Sequence, residues 1–231
     1  MLKSLDGESC QSCFARRPRE GWLQNTSHAV MAQRIEPKDS PDDFPTPPWA
    51  TRALVERVLC KASDLAAMTC LEPACGAGHM AKVLKEYFGA VHCSDAYPYG
   101  YGHVRDFLTC PYEDRSFDWV ITNPPFRLAM PFILRALHIA RRGVAVLART
   151  VFLESVGRYT GIFRQQPPSK FAQFTERVPM LRGRLDRAAT TATGYAWFVW
   201  EKNVAGPPCL MWVPPCRREL ERRGDYTSVA S

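Results

Sequence analysis

The 231-residue chain contains no apolar run approaching the roughly 20 residues of a membrane span. The first 30 residues carry no signal-peptide core, so a soluble cytoplasmic protein is expected. There is no internal repeat. The pair Cys10-x-x-Cys13 finds no second Cys-x-x-Cys and no nearby His-x-x-x-His to complete four ligands, so no metal is expected. The nine cysteines, an odd number, sit partly in apolar, strand-like contexts. That pattern excludes a disulfide framework in favour of free thiols in a reducing compartment. Acidic residues are outnumbered 30 to 23 by basic ones, giving net charge +7 and a pI near 9.0, at the edge of the range that indicates a nucleic-acid partner. The length suits one α/β domain with short appendages and no second independent domain.

The most informative stretch is Asn123-Pro124-Pro125-Phe126, which follows the hydrophobic run of residues 117–122 (FDWVIT). The run reads as a buried parallel strand, and the two prolines forbid further pairing or an immediate helix. The strand end therefore presents an amide side chain, a carbonyl held in a fixed direction and an aromatic face, at the edge where open α/β sheets bind ligands. An exocyclic nucleobase amine is a poor nucleophile because its lone pair is delocalised into the ring. Two neutral acceptors, Asn123 and the Pro124 carbonyl, would favour a tetrahedral nitrogen while Phe126 stacks on the base. A Pro-Pro pair is equally ordinary turn punctuation, so the upstream residues decide.

Residues 1–43 are polar and aperiodic and read as a flexible extension, within which Met31 is a candidate start. Phe44-Pro45-Thr46-Pro47-Pro48 leads into a helix over 49–61, with Thr46 placed to cap it and Pro47 and Pro48 in its first turn. A strand at 68–71 is followed by Glu72-Pro73-Ala74-Cys75-Gly76-Ala77-Gly78 and a helix over 79–88. Strand, glycine turn and helix is a nucleotide-binding arrangement, and Gly76-x-Gly78-x-x-Ala81 fits the dinucleotide pattern. The strand at 90–94 ends in Asp95, where ribose hydroxyls are held in such folds. Tyr97, Tyr99 and Tyr101 form a loop suited to covering a cofactor or meeting substrate. A third strand at 104–107 carries Asp106 and Phe107, suited to an adenine ring, and Asp118 reads as structural. A helix over 131–142 ends in Arg141 and Arg142, and strands follow at 143–148, 171–178 and 194–200. The loop between the last two carries Arg182, Arg184 and Arg187, which could hold phosphates or stand solvated. The remainder is Pro-rich, then basic, with at most one short helix.

In this order, TPP at a helix entry, EPACGAG, Asp95, Asp106-Phe107 and NPPF closely resemble the S-adenosylmethionine-dependent adenine-specific DNA methyltransferases with gamma-like motif order. The resemblance covers about residues 44–202. It implies a Rossmann-like class I α/β fold: a seven-stranded, mostly parallel sheet with the last strand antiparallel. It also implies a domain at 44–202 between the extension at 1–43 and a tail at 203–231. By position, Thr46 and Pro47 would contact the methionine end of S-adenosylmethionine. Glu72, Ala74, Cys75, Gly76 and Gly78 would surround it, Asp95 would hold the ribose, and Asp106 with Phe107 the adenine. Asn123, Pro124, Pro125 and Phe126 would take the target base. About 30 residues follow Trp200 here, where gamma enzymes usually carry a large target-recognition domain, and in this the sequence resembles small phage-encoded methyltransferases. The substrate implied is DNA, with RNA amino groups or a protein glutamine amide as the alternative.

Overall fold

The structure is a computed structural model that describes residues 42–59 and 62–226. Cys10, Cys13 and Met31 lie outside the described residues. Eight strands form one sheet: β1 (Thr69–Glu72), β2 (Ala90–Asp95), β3 (His103–Val104), β4 (Phe117–Thr122), β5 (Ala140–Arg149), β6 (Lys170–Phe174), β7 (Tyr195–Glu201) and β8 (Cys209–Val213). Their order is β3-β2-β1-β4-β5-β7-β6-β8. Every pairing is parallel except those of β7 with β5 and β6, so β7 alone runs against the rest. The helices are α1 (Pro48–Ala53), α2 (Ala62–Leu65), α3 (His79–Leu84), α4 (Ala129–Ile139), α5 (Val156–Arg158) and α6 (Arg217–Leu220). Among the described residues no helix is long and apolar enough to cross a membrane.

Strand alternation sends β4 side chains to both faces of the sheet. Trp119 and Ile121 join Trp49, Leu54, Met80, Leu84 and Trp197 on the face covered by α1 and α3. Val120 joins Phe132, Ile133, Ile139, Val146 and Phe198 under α4. Each such fully buried side chain contributes roughly 1.5–3 kcal/mol. Trp197 also donates from its indole Nε1 to the Ala50 carbonyl at 3.0 Å, tying α1 to the antiparallel strand. Arg52 of α1 fills all five guanidinium donors: two to Glu86, two to Asp225 and one to the Leu220 carbonyl. It thereby clamps the chain's last described turn against α1.

The structure departs from the sequence reading at several element ends. The eighth strand lies where at most a short helix was expected. Met211 and Val213 of β8 face the core under α1 while Leu210 and Trp212 remain exposed. Being an edge strand, it tolerates the prolines that bracket it, which is why those prolines misled. The helix expected over 49–61 keeps α-geometry only to Ala53, then widens into a π-type turn over Leu54–Leu59. Thr46 does not cap it: the cap position is Pro47, with no side-chain hydrogen bond. The helix expected over 131–142 ends at Ile139, and Arg141 and Arg142 belong to β5, where both pair with the Asp118 carboxylate at 3.3 and 3.4 Å. Asp118 also accepts from the Thr69 backbone and hydroxyl, joining β1 to β4 in the structural role expected of it. Strand β6 stops at Phe174, and β3 covers only two residues, leaving Asp106 in the turn that follows.

Candidate active site

The carboxyl ends of β1, β2 and β4 open on one cleft of about 230 Å³. It is lined by Thr46, Glu72, Ala74, Cys75, Gly76, Asp95, Asp106, Phe107, Asn123 and Pro125, so these expected site residues are brought together. Pro47, Gly78, Pro124, Phe126, Arg182, Arg184 and Arg187 do not line it.

Asn123 follows the last residue of β4. Its amide Nδ2 donates to the Phe44 carbonyl at 2.8 Å and the Thr46 hydroxyl at 3.1 Å. The Phe44 carbonyl can only accept, so the amide cannot be turned over without loss, and this fixes its oxygen. That oxygen, Oδ1, is buried and has no partner. Buried amide oxygens are rarely left so, and each costs about 1–3 kcal/mol. Thr46 is therefore committed to orienting Asn123 rather than to capping a helix. The Phe126 ring lies outside the cleft lining, 5.1 Å from the Phe44 ring, with the Arg149 guanidinium 3.8 Å from its centroid. The result is a planar cation stacked on an aromatic ring beside Asn123.

Glu72 ends β1 almost wholly buried, and its Oε2 too has no partner. Burial, then repulsion from Asp95, holds its carboxyl well above the usual range. Asp95 accepts from the Gly76 N–H at 2.9 Å and the Tyr97 N–H at 3.0 Å, which shapes the glycine turn around it. Asp106 spends one oxygen on the Leu108 N–H in a tight turn. Phe107 is 1% exposed and packs on Phe132 and Tyr112, so its ring belongs to the cleft wall and the core together. Gly78, at φ 82°, lies directly beneath the Tyr101 ring. Tyr101 in turn sits near both Lys82 and Lys85, so the second glycine admits a tyrosine rather than a ligand. Tyr97 and Tyr99 do line the cleft. Cys75 donates its thiol to the Tyr101 carbonyl at 3.2 Å, and burial pushes its ionisation up. It is a wall residue, with none of the thiolate character a nucleophile needs.

Sequence reasoning missed Asp42 and Asp43. Asp42 accepts from the Phe126 N–H at 2.7 Å, and Asp43 is raised by burial and by Asp95. Neither has a local motif, and only the return of the segment across the sheet edge reveals them. With Glu72, Asp95 and Asp106 they place five carboxyl groups around one cleft in a protein of net charge +7. His79, its protonation disfavoured by burial and Lys82, does little to offset them. Glu72 and Asp43 are raised toward their neutral forms, and a cation entering the cleft would favour their ionisation. Among the described residues, no cluster of three or more His, Cys, Asp or Glu is arranged to hold a metal.

No protein-family model matches the chain, and no curated protein matches its sequence. Solved structures do match. A Listeria monocytogenes protein assigned to the class I S-adenosylmethionine-dependent methyltransferases is 10% identical, with a TM-score of 0.53, over 76% of this chain and 67% of that one. The modification subunit of a protein assigned as a type I restriction enzyme of Vibrio vulnificus is 17% identical, TM-score 0.51, over 72% of this chain and 45% of that one. A Pyrococcus horikoshii protein assigned as an RNA methyltransferase is 17% identical, TM-score 0.50, over 74% and 94%. The fold is that of the class I methyltransferases. The mostly parallel sheet with antiparallel pairing near its end matches those structures.

Proposed function

We propose that the protein transfers a methyl group from S-adenosylmethionine to the exocyclic 6-amino group of adenine in DNA. The observation that carries this reading is the buried, unpartnered Oδ1 of Asn123, locked in direction by Phe44 and Thr46 at the rim of the cleft. An acceptor held ready and unpaired is suited to the N–H of an incoming amine, and it pre-pays the reorganisation that water would otherwise require. The Pro124 carbonyl, outside the cleft lining, would serve as the second acceptor for an amine held at Asn123. Phe126 does not line the cleft and carries the Arg149 guanidinium on its ring, so the planar base would stack on that cation rather than on the bare ring.

The residues present fit the cofactor. Its cationic end suits the acidic cleft, where Glu72 presents an unpaired oxygen, and Asp95 and Asp106 suit ribose and adenine. When bound, S-adenosylmethionine supplies a methyl group already made electrophilic by its sulfonium charge. The chain's own residues align the amine, strip it of water and hold its hydrogens. Arg182, Arg184 and Arg187 of the β6–β7 loop would meet phosphate, Arg184 and Arg187 giving up their pairings with Asp186 at 3.9 Å and Glu221 at 3.1 Å to do so.

The decisive experiment is to express the protein in cells devoid of adenine methylation, digest their DNA and RNA, and separate the nucleosides by mass spectrometry. Methyladenine in DNA that disappears in Asn123→Ala cells is the expected result. Methylated purines confined to RNA, or methylglutamine in protein alone, would overturn the DNA assignment.

A further inference from the structure

The loop that follows β5 exposes apolar side chains over a short span. Val156 is 82% exposed, Tyr159 57%, Val151 53% and Leu153 44%. Single exposed hydrophobics are ordinary, but a cluster of this kind marks an interaction. The loop is also tied together by its own side chains. The Arg158 guanidinium donates to the carbonyls of Val151, Phe152 and Glu154 at 3.1–3.2 Å, and lies 4.7 Å from the Phe152 ring. The Thr160 hydroxyl donates to the Val156 carbonyl at 3.0 Å, and Ser155 Oγ accepts from the Arg158 N–H at 3.4 Å. Buried Phe152 and Ile162 anchor the base of the loop. Several of its carbonyls are thus spent internally, and outward it shows these apolar side chains together with Glu154, Ser155 and Thr160.

Its place in the fold suggests the occupant. The loop starts one residue after Arg149, whose guanidinium covers Phe126, and Leu128, 41% exposed, follows Phe126 on the neighbouring turn. Arg127, between Phe126 and Leu128, and Arg164, just beyond the loop in the chain, are also exposed. An apolar tip with exposed cations in the adjoining segments, close in the chain to a base-sized stacking surface, suits a polyanion with stacked bases. A base reacting from within a duplex must leave its stack, and inserted apolar side chains are one way to hold the stack open.

We propose that Val151, Leu153 and Val156 form a wedge that enters the base stack of duplex DNA beside the adenine turned out toward Asn123. The inference rests on the methyl-transfer reading above. The test is the full chain carrying Val151→Ser, Leu153→Ser and Val156→Ser together. These side chains are exposed, so melting should be unchanged. Labelled methyl transfer is measured into unmethylated bacterial DNA, native and freshly heat-denatured. The triple variant should lose about tenfold or more on native DNA yet stay within about twofold on denatured DNA, whose bases need no extraction. Equal loss on both forms, no loss on either, or conversion of a dimer to a monomer by the triple variant would each overturn the wedge while leaving methyl transfer standing. No transfer by the unaltered protein to either form would refute the methyl-transfer reading, and the wedge with it.

Discussion

Replacing Asn123 by alanine should separate activity from stability. The side chain makes hydrogen bonds of 2.8 and 3.1 Å through Nδ2, each contributing roughly 0.5–1.5 kcal/mol to the fold. Against this, its buried Oδ1 has no partner and carries roughly 1–3 kcal/mol of desolvation cost, which alanine removes. At about 1 kcal/mol per bond and about 2 kcal/mol for the oxygen the two nearly cancel. What remains is the cost of the stranded Phe44 carbonyl and buried Thr46 hydroxyl, about 1–3 kcal/mol, roughly 2–12 °C in melting temperature for a domain of this size. Methyl transfer, by contrast, loses an acceptor aimed at the reacting amine, a loss of roughly 10²- to 10³-fold. Asn123→Asp sharpens the comparison, because one carboxylate oxygen would face the Phe44 carbonyl with no proton between them. That variant should melt below Asn123→Ala. The assays are initial rates of labelled methyl incorporation, thermal melting, and calorimetric titration with S-adenosylmethionine, whose affinity should stay within a few fold. A transfer rate within about tenfold of the unaltered protein, with melting preserved, would refute the assigned role.

Three further outcomes follow from the cleft and its supports. Glu72 is raised in the fold but ionises near pH 4.3 when unfolded, so the unfolded chain gives up that proton first and stability falls as pH rises above that point. Glu72→Gln should therefore raise the melting temperature of the ligand-free protein at pH 7, leave it unchanged below about pH 4, and weaken S-adenosylmethionine more than its uncharged thioether product. At Gly78, φ 82° and the Tyr101 ring 2.4 Å from an added Cβ make Gly78→Ala costlier than the roughly 1–2 kcal/mol of left-handed backbone alone. Gly76→Ala, whose added Cβ meets nothing nearer than Asp43 at 3.5 Å, should cost only the latter, and Tyr101→Ala should rescue part of the Gly78→Ala loss in melting experiments. Arg52→Met leaves the Glu86 carboxylate only Arg222 and the buried Asp225 carboxylate only the Arg222 N–H, with a cost of about 3 kcal/mol in urea unfolding and earlier proteolysis near residue 220.

The first five strands, the glycine turn and most of the cleft lining could be read from the chain because each rests on local chemistry. Apolar runs, glycines with positive φ and prolines that stop a strand declare themselves within a few residues. The misreadings arose where distant groups decide. Arg141 and Arg142 looked like helix-end cations until Asp118, on the adjacent strand, drew them into β5. Phe126 gave no sign that Arg149 would stack on it, and Thr46 none that its hydroxyl would serve Asn123. Asp42 and Asp43 reach the cleft only because their segment crosses the sheet edge. The prolines around β8 argue against a central strand, and the strand's edge position removes that objection.

The Asn123 amide is oriented by partners 79 and 77 positions earlier in the chain. Contacts of that reach close late when the polypeptide collapses and open early when it loosens. Mild denaturant should consequently silence turnover while far-ultraviolet ellipticity still reports an intact sheet, and catalytic competence would behave as a separate, shallower equilibrium than global unfolding.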